Sequence, residues 1–425
     1  MPPIKIDPPH EILLSTVQHI GSPARPIVKV GDEVKVGQLV AESTGYISSP
    51  IYSPVSGKVV KIEPCLKSNG KYYDAIRIEN DGLMTVCEGI TPPVITNLDS
   101  LTEAVRASGI VGLGGAGFPT VVKFDGAKKC NIDTIIINGA ECEPYITVDA
   151  RTMLDSADMI LEGIKLLKKT MPSVKNYVFG IEGNKPEAIK EMTELFKDDD
   201  SVKIEVLPSL YPQGAEKVLI YNTTGRTVPE GKLPSDVGVI VINVTTLATV
   251  ARYVENGMPL IERCITIDGS AIKEPKNVTV PIGTPIRDII EFAGGFSEKP
   301  GKVILGGPMT GSAVCSLDEP IIKTSNAIVA LTEKDATHRT ATACIHCGKC
   351  VDACPHSLNP TAFSKMLDIE NVDERMAMLE KYSLNLCMEC GCCSFVCPAS
   401  RPLTENIRTA KCELKEYKAH KDTLK

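Results

Sequence analysis

Two short cysteine runs near the C-terminus constrain this chain more than anything else in it. Cys344, Cys347, Cys350 and Cys354 follow the spacing C-x2-C-x2-C-x3-C, and Pro355 comes next. Cys387, Cys390, Cys393 and Cys397 repeat that spacing, and Pro398 comes next. Three thiols separated by two residues wrap one side of a compact group in a tight loop, and the fourth arrives from elsewhere. Gly348 and Gly391 stand at the same point in each loop, where backbone must approach whatever the sulfurs hold. Paired C-x2-C segments also make tetrahedral zinc sites, but a structural zinc has no need of the third and fourth cysteines at this spacing, used twice. Disulfides need an oxidising compartment, and the N-terminus has no apolar signal core.

The spacing is that of the iron–sulfur runs of bacterial ferredoxins, where the fourth cysteine of each run ligates the other cluster. The resemblance implies two 4Fe-4S clusters. Cys344, Cys347, Cys350 and Cys397 would hold one, and Cys387, Cys390, Cys393 and Cys354 the other. Cys392 breaks the frame and is expected not to be a ligand. His346 and His356 are expected to shape the cluster surroundings. The chain therefore reads as an electron carrier.

Composition removes other classes. A length of 425 residues predicts about three domains, and 43% hydrophobic residues suffice for large cores. A net charge of −7 and a pI near 5.6 argue against nucleic-acid binding. The absence of Trp disfavours a stacking platform for single strands. No stretch approaches the roughly 18 apolar residues that cross a bilayer; the best, Val237 to Val244, is short and contains Asn243. The expectation is a soluble, cytoplasmic protein that meets a membrane only through partners.

Along the chain, residues 26–62 read as short strands broken by turn signals at Gly31-Asp32 and Ser56-Gly57. This segment resembles the barrel-sandwich fold of lipoyl and biotinyl carriers. The stretch matching their modified hairpin, Ser43-Thr44-Gly45-Tyr46, has no lysine, so no carried group is expected. Between 100 and 255, strand patterns at Ile135–Ile137, Tyr177–Ile181 and Val202–Leu207 alternate with helical ones. Met153, Leu154, Ala157, Leu161 and Ile164 mark one amphipathic helix, and Lys185 to Phe196 another. That alternation predicts a largely parallel sheet. Cys264 to Gly269 and Lys276 to Pro281 suggest a hairpin, with a helix over Arg287 to Phe292, and resemble the β-grasp module SLBB. Leu367 to Leu379 is predicted helical. The fold class is α/β multidomain: a barrel-sandwich β domain at 1–95, an α/β domain at 96–256, an SLBB β-grasp module at 257–330, and a ferredoxin-like helical domain with two clusters at 331–425.

The second strong motif is Gly112-Leu-Gly-Gly-Ala-Gly-Phe-Pro-Thr120. Glycines let N–H groups approach a phosphate, and a following helix N-terminus adds a favourable dipole. Extended to Lys123 and Phe124, the loop resembles that of the flavin- and NADH-binding subunit of respiratory complex I, G-R-G-G-A-G-F-P-T-x-x-K-W. Asn138-Gly-Ala-Glu-Cys-Glu-Pro144, Tyr211-Pro-Gln-Gly-Ala-Glu216 and Asn243-Val-Thr-Thr-Leu-Ala248 are similar to further motifs of that family, in the same order. With a barrel-sandwich first, a two-cluster unit last, and Gln18-His-Ile-Gly21, the chain resembles the RnfC family of Rnf electron-transport complexes over roughly 8–410. Cobalamin reductases of microcompartments and proline-reductase electron-transfer proteins share similar layouts.

The resemblance implies that Gly112, Gly114, Gly115 and Gly117 cradle FMN, with Lys123 countering its phosphate. Asn138, Glu141 and Asn243 would contact the flavin, Phe118 would stack on the nucleotide, and Glu143, Tyr211 and Glu216 would line the NADH site. Leu113, Ala140 and Ala215 depart from the family pattern, replacing an arginine, an aspartate and a glutamate. The implied activity is that of a peripheral subunit of a ferredoxin:NAD oxidoreductase. It would pass electrons between NAD(H), FMN and the clusters, with membrane-bound and ferredoxin-like subunits as partners, at the cytoplasmic face of the cell membrane. The other readings are a soluble NADH-dependent reductase serving cobalamin or proline reductase, and a cluster-bearing relay that binds no nucleotide.

Overall fold

A computed structural model of the chain describes residues 2–67, 70–337 and 339–423. It divides into two compact units, Met1–Asp335 and Ala336–Lys425.

The larger unit combines three kinds of layer. Its first is β-rich: a sheet ordered Glu11–Ser15, Tyr72–Asn80, Gly57–Leu66, Glu33–Val34, with a smaller one of Arg25–Pro26, Leu39–Glu42 and Ile51–Tyr52. Alternate residues point inward, so Ile12, Leu14, Val34, Val40, Val59, Ile76 and Ile78 are buried together. Gly57 has φ 152, and a Cβ there would lie 1.9 Å from the Glu79 carbonyl oxygen, so the close approach needs glycine. The Ser43–Tyr46 stretch is exposed.

The second layer is a parallel sheet ordered Val202–Leu207, Asn176–Glu182, Thr134–Gly139, Val239–Asn243. Ile135, Ile136 and Ile137 are fully buried, as expected for a central parallel strand with helices on both faces. The chain runs outward from Thr134–Gly139 on one side, then returns to add Val239–Asn243 on the other. The strand order therefore reverses between these two strands, and there Asn138 and Asn243 are register partners at the C-terminal edge. The single helix expected across 153–164 is two, Val148–Asp155 and Ala157–Thr170. Ser156 leaves helical geometry (φ −137, ψ 35), which lets Ile160, Gly163, Ile164 and Leu167 turn onto Val244–Asn256.

The third layer is a six-stranded sheet: Ile4–Lys5, Lys276–Pro281, Glu262–Asp268, Ala327–Thr332, Pro300–Leu305, Ser312–Ala313. Ile286–Phe292 covers it, burying Ile286, Ile289 and Ile290 against Ile265, Ile267, Val278 and Ile328. Ile4 and Lys5 pair with Val278 and Thr279 at the edge of this sheet, although they precede the first β-rich layer in the chain.

The smaller unit is helical. Pro360–Met366, Val372–Lys381 and Leu403–Thr423 bury Phe363, Leu379, Leu403, Ile407 and Ala410 beside the cysteine loops. The helix expected from Leu367 starts at Val372 because the Asn371 side chain accepts the Glu374 N–H at 3.0 Å and caps it there. No helix among the described residues is long and apolar enough to cross a membrane.

Candidate electron-transfer sites

The glycine loop lies beside that strand-order reversal, where ligands bind in open α/β sheets. The Gly112 N–H donates to the Phe118 carbonyl at 2.8 Å and closes the loop. Leu113 is buried, and its N–H donates to Thr246 Oγ1 at 2.9 Å. Gly114 lies against Asn243, 3.0 Å from where a Cβ would sit, and Gly117 has φ +67 with Thr324 Cγ2 2.2 Å from its Cβ position. Between them Gly114, Gly115 and Ala116 are exposed, and among the described residues their N–H groups have no protein acceptor. The next helix, Thr120–Ala127, has no side-chain cap, and the buried Thr120 hydroxyl has no partner. Free N–H groups in a loop that leads into an uncapped helix suit a phosphate group.

The other motif residues converge on this loop through hydrogen bonds. Asn138 Nδ2 donates to the Gly214 carbonyl at 2.9 Å, and its Oδ1 accepts the Ala140 N–H. That draws the Tyr211–Glu216 segment, with Tyr211 half-buried, to the strand end. Lys123 Nζ donates to Glu216 Oε1 at 2.6 Å and to the Val241 carbonyl at 2.8 Å. Asn243 caps its helix by accepting the Thr246 N–H, and its Nδ2 donates to Asp149 Oδ2 at 2.7 Å. Phe118 is half-buried at the loop's exit.

Two carboxylates of the motifs are taken up by protein donors. Glu141 accepts the N–H of Asp149 at 2.7 Å and Lys185 Nζ at 3.2 Å. Burial, followed by the neighbouring Asp149 carboxylate, raises its pKa above the ordinary range. Glu143 accepts the N–H groups of Met309 (3.1 Å) and Thr310 (2.8 Å), and the Thr310 hydroxyl. It thereby ties the parallel sheet to the β-grasp layer.

Sequence reading missed the residues that hold the loop from behind. Arg263 is buried; its guanidinium donates to the Leu113 carbonyl at 2.8 Å and to the Ser325 carbonyl at 3.1 Å. Burial pulls its pKa down to about 10. Ile20 N donates to the Gly117 carbonyl at 3.2 Å, so the first β-rich layer also grips the loop. His19 Nε2 accepts the Ser49 N–H at 3.0 Å and Nδ1 contacts the Ile20 carbonyl, and burial lowers the ring's pKa. Lys323 is fully buried, and its Nζ donates to Ser49 Oγ, Gly109 O and Pro50 O. Burial without a carboxylate partner pulls its pKa down to about 7. Only an isolated Gln-His pair hinted at any of this in the sequence.

In the smaller unit the two cysteine loops share one backbone. His346 and Glu389 have φ 56 and 58, Gly348 and Gly391 79 and 82, Ser357 and Ser400 53 and 51. The repeats are cross-linked: the Thr342 N–H donates to the Ala399 carbonyl at 3.0 Å, and His356 Nδ1 lies 2.7 Å from the Leu386 carbonyl. Burial raises the Cys350 thiol pKa, and the Cys397 and Cys344 sulfurs nearby add to it. Cys392 has Cys390, Cys393 and Cys354 as its sulfur neighbours. These groupings cross between the repeats. Among the described residues, no three His, Cys, Asp or Glu side chains gather as they would around a single metal ion. Backbone N–H groups reach the sulfurs of Cys387 (from Glu389) and Cys354 (from Leu358), each at 3.4 Å, as they do where thiolate charge must be stabilised. The donor set and these contacts fit iron–sulfur ligation.

A glycine phosphate cradle and twin cysteine loops on one chain define a flavin and iron–sulfur electron-transfer subunit. Family models match each part: the Nuo51 FMN-binding domain at 105–252, the RnfC barrel sandwich hybrid domain at 2–83, the SLBB domain at 264–313 and the 4Fe-4S dicluster domain at 340–401. The chain is 46% identical over 368 residues to the C subunit of the proton-translocating ferredoxin:NAD(+) oxidoreductase complex of Clostridium ljungdahlii, covering 85% of this chain and 80% of that one. It is 41% identical over 412 residues to the Na(+)-translocating counterpart of Acetobacterium woodii, covering 96% and 91%. It is 38% identical over 423 residues to the C subunit of the ion-translocating oxidoreductase complex of Rhodobacter capsulatus, covering 97% and 80%. The chain belongs to the RnfC family, the C subunits of ion-translocating ferredoxin:NAD(+) oxidoreductase, or Rnf, complexes. Its fold is also similar to a chain of an NAD+-reducing [NiFe]-hydrogenase, with TM-score 0.53 and 17% identity over 75% of this chain and 63% of that one.

Proposed function

We propose that this chain is the peripheral subunit through which a membrane-bound, ion-translocating complex exchanges electrons with NAD(H). Bound FMN would supply the exchange between a two-electron hydride and single electrons, and the cysteine loops would hold clusters suited to one electron at a time. The chain's own residues bind and orient. The N–H groups of Gly114, Gly115 and Ala116 would hold the flavin phosphate, and the Lys123–Glu216 pair is anchored to the Val241 carbonyl of the neighbouring strand. Glu141 and Glu143 act on the nucleotide indirectly, by fixing the loops around it, because protein donors occupy their oxygens. Phe118 and Tyr211 supply the ring faces. Cys344, Cys347, Cys350 and Cys397, and Cys387, Cys390, Cys393 and Cys354, hold the clusters. The four modules 1–95, 96–256, 257–330 and 331–425 follow the same division of labour.

The partners are membrane and ferredoxin-like subunits of the same complex, met at the cytoplasmic face. One relative's name carries protons and another's sodium, so what this subunit shares with both does not select the ion. The run of exposed N–H groups without acceptors, at the strand-order reversal, carries this reading. The test is NADH-dependent ferricyanide reduction by anaerobically purified, FMN-reconstituted protein. Activity that tracks FMN content is expected; full flavin and iron content without NADH oxidation contradicts it. Co-purification with membrane subunits separates this function from that of a soluble reductase.

A further inference from the structure

The two cysteine loops have matching backbone turns, but the sites they build differ in the groups that donate to each sulfur. Hydrogen bonds to sulfur separate them. In the set Cys387, Cys390, Cys393 and Cys354, every sulfur has a donor beside it. Cys387 receives the Glu389 N–H and Cys354 the Leu358 N–H, both at 3.4 Å. Thr404 Oγ1 lies 3.7 Å from Cys393 Sγ, and the buried Cys392 thiol bonds Cys390. In the set Cys344, Cys347, Cys350 and Cys397, no hydrogen bond reaches the sulfurs of Cys344, Cys347 or Cys397 among the described residues. Cys350 has the Val351 N–H beside it, which Cys393 matches with Ser394.

The sequence explains the two side-chain differences. Lys349, an exposed residue, stands where the second loop has Cys392. Thr361 stands where the second half has Thr404, but its hydroxyl donates to Asn359 Oδ1 at 2.8 Å. Asn359 caps the helix there, and its counterpart Pro402 has no side-chain acceptor. Thr404 N donates to Ser394 Oγ at 2.9 Å, and the Ser394 hydroxyl lies 2.8 Å from Thr404 Oγ1. With Ser394 donating, the Thr404 proton is directed to Cys393. Lys411 adds a cation, 2.6 Å from the Cys387 carbonyl, and with Arg408 it neutralises Glu389.

We propose that the cluster held by Cys387, Cys390, Cys393 and Cys354 has the higher reduction potential of the two, set by the Cys392 and Thr404 donors that the other site lacks. Reduction adds one electron to one cluster and breaks no bond, so the reduced state is stabilised by whatever withdraws charge from its sulfurs. Exposure of Cys347 works in the opposite sense, by letting water reach one sulfur of the other site. Directed donors on four sulfurs and a nearby ammonium outweigh it. The first electron to reach the pair therefore rests on this cluster.

The proposal rests on the two-cluster reading, so the experiment separates them. Iron and sulfide are assayed first on the anaerobic full chain. Content of about one cluster, or zinc in place of iron, overturns the ligand assignment and the proposal with it. With two clusters present, a potentiometric titration followed by EPR should show two one-electron steps. Cys392→Ala and Thr404→Val should each lower the upper step and leave the lower one in place, and Cys392→Ser, which keeps a donor, should restore it. Cys347→Ser should alter the lower step alone. If the two donor variants move the lower step or neither, or if Cys347→Ser alters the upper step, the proposal fails.

Discussion

The cysteine unit and the glycine-loop unit reach their sites by opposite routes. In Ala336–Lys425 the ligands come from two short continuous runs whose loops need only local turns, with positive φ at Gly348 and Gly391. In Met1–Asp335 the loop contributes little more than free N–H groups. Its position depends on Arg263 from the β-grasp sheet, Ile20 from the first β-rich layer, and Thr246 and Asn243 at the next helix start. A site spelled in one segment is robust to changes elsewhere, whereas a site assembled from three layers can be lost through residues that never touch a ligand.

The sharpest way to break this contrast is a ligand substitution. Cys350→Ala removes a buried thiol from the core of the smaller unit. It should lose about half the iron, because it removes a ligand from one of the two clusters, and leave FMN content unchanged. Iron assay and flavin extraction on the same sample check both halves.

Next in size is a pH effect confined to the larger unit. Burial lowers Lys323 from 10.5 in the unfolded chain to about 7 in the folded one. Between those values the unfolded chain binds the proton and the folded chain does not, so stability should rise with pH, by on the order of a few kcal/mol across the window. Lys323→Met should flatten that slope. Hydrogen exchange in Met1–Asp335, measured at pH 7 and above, reads it directly.

Arg263→Met should come third. It strands the Leu113 and Ser325 carbonyls and should cost about 2–4 kcal/mol, with flavin released at lower denaturant and iron retained. Gly117→Ala should be milder in stability, about 1–3 kcal/mol for a side chain at positive φ pressed against Thr324. Its signature is weaker flavin retention at full iron content, seen by titrating FMN into the apoprotein. Equal loss of iron and flavin in either variant would break the contrast.

Legibility followed the same division. The cysteines could be read residue by residue, because eight thiols at that repeated spacing suit little else. The glycine loop and its sheet were legible from the apolar run Ile135–Ile137 and the motif order. Arg263, Lys323 and Asp149 were not. Each has a meaning only once separate layers are brought into contact, and an isolated Arg or Lys reads as a surface charge. Glu141 and Glu143 show the converse. Their motif marked the site, yet their oxygens serve the loop of 309–310 and the helix that starts at Val148. The break at Ser156 was hidden because the apolar spacing continues through it.

The most direct test of the central claim, a flavin cradle and two clusters on one chain, is stoichiometry. Anaerobically purified full-length protein should contain about eight iron atoms, about eight sulfides and, after reconstitution, about one FMN. Zinc on the cysteines, or iron at that level with no FMN retained, would contradict it.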